Sequence, residues 1–276
     1  MIDTIDPHKQ WIIKLNTHNL SNHNLNKHLS RMYIVPIQNI LKNSKHKNNT
    51  FLLAPGDHFS LDNIPAVMSK SRLVNDVDTI LLRLNYERHW GLVNKVSKWD
   101  IPWEAKNSKI IWRGATTGQI HNLRQTLVEK YYNHSNKNID VGLNLIVQGQ
   151  SNKYKKSSLS PKEMLKSKFI VSIEGNDVAS GLKWQMFSNS VVFMPKPLTE
   201  SWFMENLLIP YYHYIPLNND LSDLEKQYNW ALRNQEKCKK IVDNAKLHVK
   251  QFLNEEYELS LMTKIFDKYF HNVQFI

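Results

Sequence analysis

The sequence contains one cysteine, Cys238, and no run of apolar residues long enough to cross a bilayer. A single cysteine excludes an internal disulfide framework and indicates a reducing compartment. A membrane-spanning helix needs at least about 18 consecutive apolar residues, so the sequence predicts none. The N-terminal stretch MIDTIDPHKQWIIKL is acidic in part and lacks a long apolar segment, which is not typical of a secretory signal. Together these absences favour a cytoplasmic protein.

The composition is that of a globular protein with a basic surface. The chain has 276 residues, of which 41% are hydrophobic, which is enough for one large domain or two small ones. Lys and Arg number 36 against 25 Asp and Glu, giving a formal net charge of +11. Such a surface favours nucleic acid, an anionic membrane or a phosphorylated small molecule as partner, and the charge alone does not choose among them.

Short apolar runs alternate with helical patterns along the chain. The predicted strands span residues 51–55, 79–84, 109–112, 140–147, 169–173, 191–194 and 212–216. The predicted helices span residues 119–132, 181–189, 222–252 and 255–270, and capping boxes are predicted at Ser160–Glu163 and Ser222–Glu225. Strand, helix and strand in this order indicate an α/β fold with parallel sheets, in which ligands bind beyond the carboxyl ends of the strands.

A largely polar stretch at residues 94–107 separates two halves of the sequence. We therefore predict an N-terminal domain at 1–105 and a C-terminal domain at 106–276. The C-terminal domain would end in a helical tail that packs back on the N-terminal half.

Two loops at predicted strand ends carry residues suited to holding a phosphate. In the first loop, Arg113 follows a strand and precedes small residues, and an Arg there can bind a diphosphate through two parallel hydrogen bonds. In the second, a buried strand opens into residues 174–183, where a helix start offers free N–H groups and Lys183 adds a charge. The alternatives are an ordinary Gly-bounded turn at Arg113 and an ordinary strand–turn–helix capped by Ser180. Because both loops follow strands of the same half, we expect them to open at one edge of one sheet.

Several stretches resemble glycosyltransferase family 90, which includes fungal capsule-associated proteins, animal protein O-glucosyltransferases of the Rumi type and bacterial lipopolysaccharide-modifying enzymes. The matching stretches are Ile111–Thr117, Lys168–Trp184, Ser190–Phe193, Glu200–Leu217 and Asp220–Leu224. The sequence HYIPL followed by DLSDL is quite specific to this family. Order and spacing agree over roughly residues 109–253.

The resemblance implies a GT-B fold, with two Rossmann-like halves and a nucleotide-sugar bound between them. It implies inverting transfer of glucose, xylose or galactose from a UDP-sugar to a hydroxyl of a surface glycan or glycolipid, without a required metal. It assigns the donor to ten residues of the two loops: Arg113, Gly114, Ala115, Thr116, Asn176, Asp177, Val178, Ser180, Gly181 and Lys183. The animal relatives carry an Arg two residues before Lys183, where this chain has Gly181, so we expect Lys183 to neutralise the leaving phosphate.

A weaker resemblance assigns the catalytic base to Asp57. The stretches Leu52–Phe59 and Ile64–Val67 are similar to the family segment that carries an Asp just after a strand. Inverting transfer needs one carboxylate to take the proton of the acceptor hydroxyl, and cations to stabilise the departing diphosphate. The alternative is that Asp57 is a turn residue at a strand end.

Two further residues of the matched stretches, Glu205 and His213, are candidates to contact the donor sugar or the acceptor, with packing as the alternative for His213. The basic surface suits peripheral contact with an anionic membrane, and we expect no nucleic-acid partner. A second function remains open, namely a non-catalytic module that binds anionic glycan or nucleic acid on the same scaffold. The net charge and the missing Arg before Lys183 favour it.

The sequence offers two formal metal-binding patterns, and we assign neither. Asp76–Asp78 form a D-x-D sequence, but it precedes its predicted strand and therefore indicates a turn. Three histidines recur every five residues, a step that turns about 140° on a helix, so they do not share a face. They are His18, His23 and His28. We predict no metal or cofactor beyond the UDP-sugar.

Overall fold

The computed structural model describes residues 12–18, 20, 30–42, 44–46, 48–57, 66–118, 122–147 and 151–274. The chain forms two compact units. Unit 1 comprises Met1–Tyr86 with Asn254–Ile276, and unit 2 comprises Glu87–Leu253. The division thus falls at Tyr86, earlier than the expected boundary at residue 105, and the C-terminal segment belongs to unit 1.

Unit 1 contains a small mixed sheet. Its strands are β1 (Ile13–Asn16), β2 (Thr50–Ala54), β3 (Val67–Ser69), β4 (Ser71–Leu73) and β5 (Ile80–Leu81). Four of them form a sheet in the order β1-β2-β3-β5, in which β1 is antiparallel to β2 and the other pairs are parallel. The strand predicted at 51–55 is confirmed, and the one predicted at 79–84 is shorter than expected.

Unit 2 contains a five-stranded parallel sheet. The strands of unit 2 are β6 (Asn107–Ala115), β7 (Ile139–Leu145), β8 (Ser167–Val171), β9 (Val191–Pro195), β10 (Thr199–Ser201) and β11 (Ile215–Leu217), and all of them except β10 belong to this sheet. The sheet order is β11-β9-β8-β6-β7, and every neighbouring pair is parallel. The expected α/β fold with parallel strands is confirmed, although the last strand begins later than the predicted residue 212.

The helices are α1 (Val35–Leu41), α2 (Tyr86–His89), α3 (Val93–Trp99), α4 (Leu123–Tyr131), α5 (Pro161–Met164), α6 (Leu182–Met186), α7 (Leu224–Arg233), α8 (Gln235–Lys250) and α9 (Glu255–Asn272). A π-helical turn at Ser30–Ile34 precedes α1, and 3-10 turns lie at Trp103–Ala105 and Glu205–Leu207. Among the described residues, none of these helices combines the length and the apolar character that crossing a bilayer requires.

One predicted capping box is confirmed and the other is wrong. The Ser160 hydroxyl accepts the Glu163 N–H at 3.2 Å, and Glu163 Oε2 accepts the Ser160 N–H at 2.7 Å. At the start of α7, Asp223 makes no side-chain cap. The helix predicted at 222–252 is in fact two helices, because the chain leaves helical geometry at Asn234.

Aromatic side chains fill the core of unit 2 around β8. The Phe169 ring lies 6.0 Å from Trp103, 5.6 Å from Phe193 and 5.7 Å from Tyr228, centroid to centroid. Its neighbour Ile170 points to the other side of the strand and is fully buried as well. Both faces of the sheet are therefore covered, as is usual for parallel sheets.

Cys238 of α8 lies in this core and has no accessible surface. Its Sγ is 3.7 Å from the Ala231 carbonyl oxygen. Burial raises the pKa of the Cys238 thiol to about 12. The thiol therefore acts as a small apolar group.

In unit 1, helix α9 packs on β2. The Phe266 ring contacts the Phe51 ring edge to face at 5.6 Å. The Tyr269 hydroxyl accepts the Leu52 N–H at 3.2 Å. These contacts account for the place of the C-terminal helix in unit 1.

Candidate functional site

The two loops singled out in the sequence meet at the carboxyl edge of the unit 2 sheet. They follow β6 and β8, which are neighbours in the sheet. The Gly118 N–H donates to Asn176 Oδ1 at 3.0 Å. Gly118 has a φ of +91°, and a Cβ there would lie 2.6 Å from the Gly175 carbonyl oxygen. The expectation that both loops open at one edge of one sheet is confirmed, and their close approach depends on Gly118.

One guanidinium group holds the two loops together. Arg124 Nε donates to the Glu174 carbonyl at 2.9 Å, and Nη2 donates to the Ile173 carbonyl at 3.1 Å. Nη1 donates to the Ala115 carbonyl at 3.2 Å and to Thr117 Oγ1 at 2.6 Å. Arg124 therefore joins the end of β6 to the end of β8.

A cleft opens beside these loops, within unit 2, and the ≈ 350 Å³ of empty space in it includes open solvent. It lies at the carboxyl ends of β8 and β9. Its apolar walls are Leu123, Val178, Ala179, Leu182, Met194, Pro195 and Pro197, and its polar groups are Ser172, Glu174, Lys196 and Glu205. A mostly apolar concavity with a few polar groups is typical of a small-molecule site.

Glu174 places a half-satisfied carboxyl group in this cleft. Its Oε1 accepts the Leu198 N–H at 3.1 Å, the Thr199 N–H at 3.1 Å and the Thr199 hydroxyl at 3.0 Å. Its Oε2 is buried and has no hydrogen-bond partner among the described residues, and the same holds for Ser172 Oγ. Burial raises the pKa of Glu174 to about 7, and the nearby Glu205 adds to this rise, against the lowering effect of the hydrogen bonds at Oε1.

Lys183 and Glu205 form a buried ion pair at the floor of the site. Lys183 has no accessible surface, and its Nζ lies 2.7 Å from Glu205 Oε1 and 3.0 Å from Ser201 Oγ. Glu205 Oε2 also accepts the Ser201 N–H at 2.6 Å. The Lys183 ammonium lies 5.3 Å from the centre of the Phe203 ring. The charge that was expected to face a phosphate at this helix start is thus neutralised by Glu205 inside unit 2.

A family model for glycosyl transferase family 90 matches residues 85–275, well over half of the chain. The chain belongs to glycosyltransferase family 90. This confirms the resemblance read from the sequence, and it covers the whole of unit 2 and the C-terminal helix of unit 1.

Individual relatives agree with this family membership. The chain is 35% identical over 216 residues to O-glucosyltransferase LpsA of Dichelobacter nodosus, which covers 78% of this chain and 65% of that protein. It is 29% identical over 202 residues to protein 179R of Invertebrate iridescent virus 6, covering 60% of this chain and 17% of that protein. It is 31% identical over 107 residues to protein O-glucosyltransferase 2 of Danio rerio, covering 39% of this chain and 21% of that protein. The chain thus spans 65% of the length of LpsA and smaller shares of the other two.

In this member of the family, the Arg113 guanidinium forms hydrogen bonds within unit 2. Its Nη2 lies 3.0 and 3.1 Å from the two carboxylate oxygens of Asp140, and Nη1 donates to the Trp112 and Asp140 carbonyls. Its Nε donates to the Ser157 carbonyl at 3.0 Å. Burial alone would raise the pKa of Asp140, but the hydrogen bonds from Arg113 and Lys156 hold it below its usual value. All three guanidinium nitrogens of Arg113 already have partners, so a diphosphate would have to displace some of these bonds. The donor-binding role of Arg113 stays a prediction.

The other residues of the first loop that were predicted to bind the donor contact neighbouring parts of unit 2. Gly114 leaves room for the Trp112 ring, which a Cβ would approach to 2.4 Å. The Ala115 carbonyl is one of the groups bound by Arg124. The Thr116 hydroxyl donates to the Val147 carbonyl at 2.7 Å and links this loop to the segment after β7.

The second loop contributes one wall of the cleft. Val178 lines it, whereas the Asn176 side chain faces Gly118 and the Asp177 carbonyl accepts the Gly175 N–H at 2.9 Å. Ser180 is half-buried and makes no cap, since Gly181 is the residue that precedes α6 and no side chain caps it. The donor-binding roles assigned to these residues stay predictions.

Of the two candidates for sugar or acceptor contact, Glu205 lines the cleft and His213 is packed. His213 Nδ1 accepts the Ile209 N–H at 2.9 Å, and its ring centre lies 5.2 Å from that of His248. Burial lowers the pKa of His213 to about 4, with a smaller contribution from His248. His213 is therefore neutral at pH 7.

In unit 1, Asp57 follows β2 at its carboxyl end, as predicted. Its Oδ1 lies 2.9 Å from the Nζ of Lys70, a residue that follows the neighbouring strand β3 and whose side chain is 2% exposed. The Asp57 side chain keeps 24% of its surface accessible. Phe59 and Ile64 of the matched segment lie outside the described residues. The family model matches residues 85–275 and does not reach Asp57, so its role as base stays a prediction.

The D-x-D sequence forms a turn, as expected. Asp76 Oδ1 accepts the N–H groups of Asp78 and Thr79 at 2.9 Å each, just before β5. Within the part of the chain that the structure describes, no group of three or more His, Cys, Asp or Glu is placed to hold a metal ion. His23 and His28 lie outside the described residues. Metal independence stays a prediction.

Sequence reasoning assigned no role to Glu174, Ser172, Lys196 or Arg124. Glu174 carries a recognisable signal, because it is an acidic residue directly after a buried strand at the edge where ligands bind. Arg124 carries none, because an Arg in the first turn of a helix is commonly a solvated surface residue.

Proposed function

We propose that this chain is an inverting, metal-independent glycosyltransferase of the GT-B type. It moves glucose, xylose or galactose from a UDP-sugar to a hydroxyl of a surface glycan or glycolipid. The observation that supports this most directly is the cleft at the carboxyl edge of the unit 2 sheet, the edge at which parallel α/β sheets bind nucleotides. Family membership supports the reaction class.

In the proposed reaction, the acceptor oxygen attacks the anomeric carbon as the bond from that carbon to the UDP oxygen breaks. Asp57 takes the proton of the acceptor hydroxyl, and attack opposite the leaving group inverts the anomeric centre. UDP leaves with the bonding electron pair. Lys196 is exposed at the rim of the cleft and is a suitable cation for the departing diphosphate.

The buried Lys183 acts indirectly in this scheme. Its ion pair with Glu205 sets the position of a carboxylate that lines the cleft. Glu205 would then face the donor sugar. Lys183 itself would reach a phosphate only by leaving that pair.

The experiment is a donor screen on the full chain. UDP-glucose, UDP-xylose and UDP-galactose are each incubated with a glycan acceptor, and released UDP is measured with and without EDTA. We expect release with one of these donors, unaffected by EDTA, and a product of inverted anomeric configuration by NMR. The name of LpsA makes UDP-glucose the first donor to test.

Calorimetry with UDP alone distinguishes a glycosyltransferase from a non-catalytic module that binds anionic glycan or nucleic acid. A glycosyltransferase binds UDP, whereas a non-catalytic binder of anionic glycan shows salt-sensitive polymer binding and no affinity for UDP. Absence of UDP binding would contradict the proposed function.

A cytoplasmic location with peripheral contact to an anionic membrane is part of the proposal.

A further inference from the structure

Two side-chain oxygens in the cleft of unit 2 are buried. Glu174 Oε2 and Ser172 Oγ have no hydrogen bond from the described residues, although Glu174 Oε1 receives three. A buried polar atom without a partner is costly, and such atoms in native structures usually face a ligand or water. The two side chains follow the same strand and line the same cleft.

We propose that Glu174 and Ser172 bind a vicinal pair of hydroxyl groups on the donor. This inference rests on the proposed function and names the part of the donor that this wall of the cleft recognises. A carboxylate oxygen only accepts, so its partner must carry O–H or N–H groups. The Ser172 hydroxyl both donates and accepts, so it can bind the second hydroxyl of the pair.

The charges around the cleft argue against other donor groups at this place. An ionised Glu174 would repel a diphosphate placed directly beside it, whereas Glu205 is paired with Lys183 and Lys196 is the cation that this cleft offers to the diphosphate. A uracil ring offers a single N–H group, whereas a diol offers two adjacent O–H groups. Acidic side chains bind the ribose hydroxyls in other nucleotide-binding α/β folds, which shows that the chemistry is suitable.

Vicinal hydroxyls occur in two parts of a UDP-sugar, the ribose and the transferred sugar. Both offer the same chemistry to Glu174, and the experiment distinguishes them. Apolar residues such as Val178 and Met194 line the cleft beside the carboxylate, and the low local dielectric that they provide strengthens a hydrogen bond to it.

Binding should depend on pH because hydroxyl groups donate best to the ionised carboxylate. The groups around Glu174 are the Thr199 hydroxyl, Lys196, the ion-paired Glu205 and the Arg124 guanidinium, which holds the Glu174 carbonyl. Burial raises the pKa of Glu174 to about 7. Affinity for the diol-bearing ligand should therefore rise with pH up to about 7, by at most about tenfold per pH unit.

The test is calorimetry of the full chain with UDP, 2′-deoxy-UDP and UDP-glucose, at pH 6 and pH 8. If the ribose is bound, 2′-deoxy-UDP binds about tenfold more weakly than UDP, and the difference grows with pH. If the sugar is bound, UDP and 2′-deoxy-UDP bind equally and UDP-glucose binds about tenfold more tightly. Either difference should disappear in Glu174→Gln and shrink in Ser172→Ala.

The matched control is Glu129→Gln on the exposed face of α4, which should keep both the affinities and their pH dependence. The comparison of ligands on the unmodified chain tests the inference even where Glu174→Gln does not fold. If the chain binds UDP but UDP, 2′-deoxy-UDP and UDP-glucose all bind equally, this inference is wrong and the proposed function is unaffected. Failure to bind UDP overturns the proposed function, and this inference with it.

Discussion

Burial keeps the pKa of the Glu174 carboxyl group near 7, although its Oε1 accepts three hydrogen bonds. Burial raises its pKa from 4.5 to about 7, so the folded chain holds a proton that the unfolded chain releases. Its contribution to stability is fully present below pH 4.5 and is lost as the pH rises through about 7. The shift corresponds to about 3 kcal/mol in the free energy of unfolding.

We therefore expect Glu174→Gln to flatten the pH dependence of stability. Urea unfolding at pH 5 and pH 7.5 should show the wild type losing about 2 kcal/mol more than the variant over this range. Glu129→Gln should follow the wild type, because Glu129 is exposed. Parallel curves for wild type and Glu174→Gln would show that Glu174 is ionised in the folded protein.

Asp57 is the second residue with a defined test. Asp57→Asn keeps the shape of the side chain and removes the proton acceptor, so turnover should fall by at least about a hundredfold while the affinity for UDP is unchanged. Asp78→Asn in the turn before β5 is the control and should keep full activity. An active Asp57→Asn variant would remove Asp57 from the role of base.

Single residues were the hardest feature to predict from the sequence. Lys183 was expected in the first turn of a helix, where it would add a charge for a phosphate, yet all five residues of α6 are buried and Lys183 is neutralised by Glu205. The sequence cannot show this, because Glu205 lies 22 positions further along the chain. The same holds for Arg124, whose partners at Glu174 and Ile173 are distant in sequence.

At the scale of elements, the approach of the two loops is the feature most open to a mutational test. Gly118→Ala places a side chain at a φ of +91° and within 2.6 Å of the Gly175 carbonyl. We expect this variant to lose about 2 kcal/mol of stability and to bind UDP more weakly, as measured by urea unfolding and calorimetry.

The control is Glu129→Gln on the exposed face of α4. A change at an exposed side chain away from the two loops should cost less than about 0.5 kcal/mol. Equal losses of stability in the two variants would show that the close approach of the loops adds nothing specific.

The strands were predictable and the helix ends only in part. The runs at β8 and β9 are continuous and apolar and are bounded by polar residues, which is typical of buried parallel strands. The capping box expected at Ser222 does not form because the Ser222 hydroxyl donates to Asp220 at 2.8 Å and the Asp223 carboxylate accepts the Asn218 N–H at 2.9 Å. These local partners compete with the cap, and the sequence pattern does not rank them.

At the scale of the molecule, the family and the α/β class were predictable, but the division of the chain was not. Residues 94–107 were interpreted as a linker because they are polar. They contain most of helix α3, whose Val93 and Val96 are buried, and the Ile101 carbonyl accepts the Asn189 side-chain N–H at 3.0 Å. A short helix with few buried positions looks like a linker in composition.

The net charge of +11 leads to a prediction for the whole chain. We expect it to sediment with vesicles that contain phosphatidylglycerol at low salt, and to be released as the salt concentration rises through about 0.2 M. Vesicles of phosphatidylcholine alone are the control and should bind little. Equal binding to both would show that charge does not drive the contact.

The buried thiol of Cys238 has a practical consequence. With a pKa of about 12 and no accessible surface, it should not react with maleimides while the protein stays folded. The unmodified chain should therefore take up no label of its own when other cysteines are introduced for site-directed labelling. One cysteine introduced on the surface of each unit would carry a fluorophore pair, whose energy transfer would report whether nucleotide changes the distance between the units.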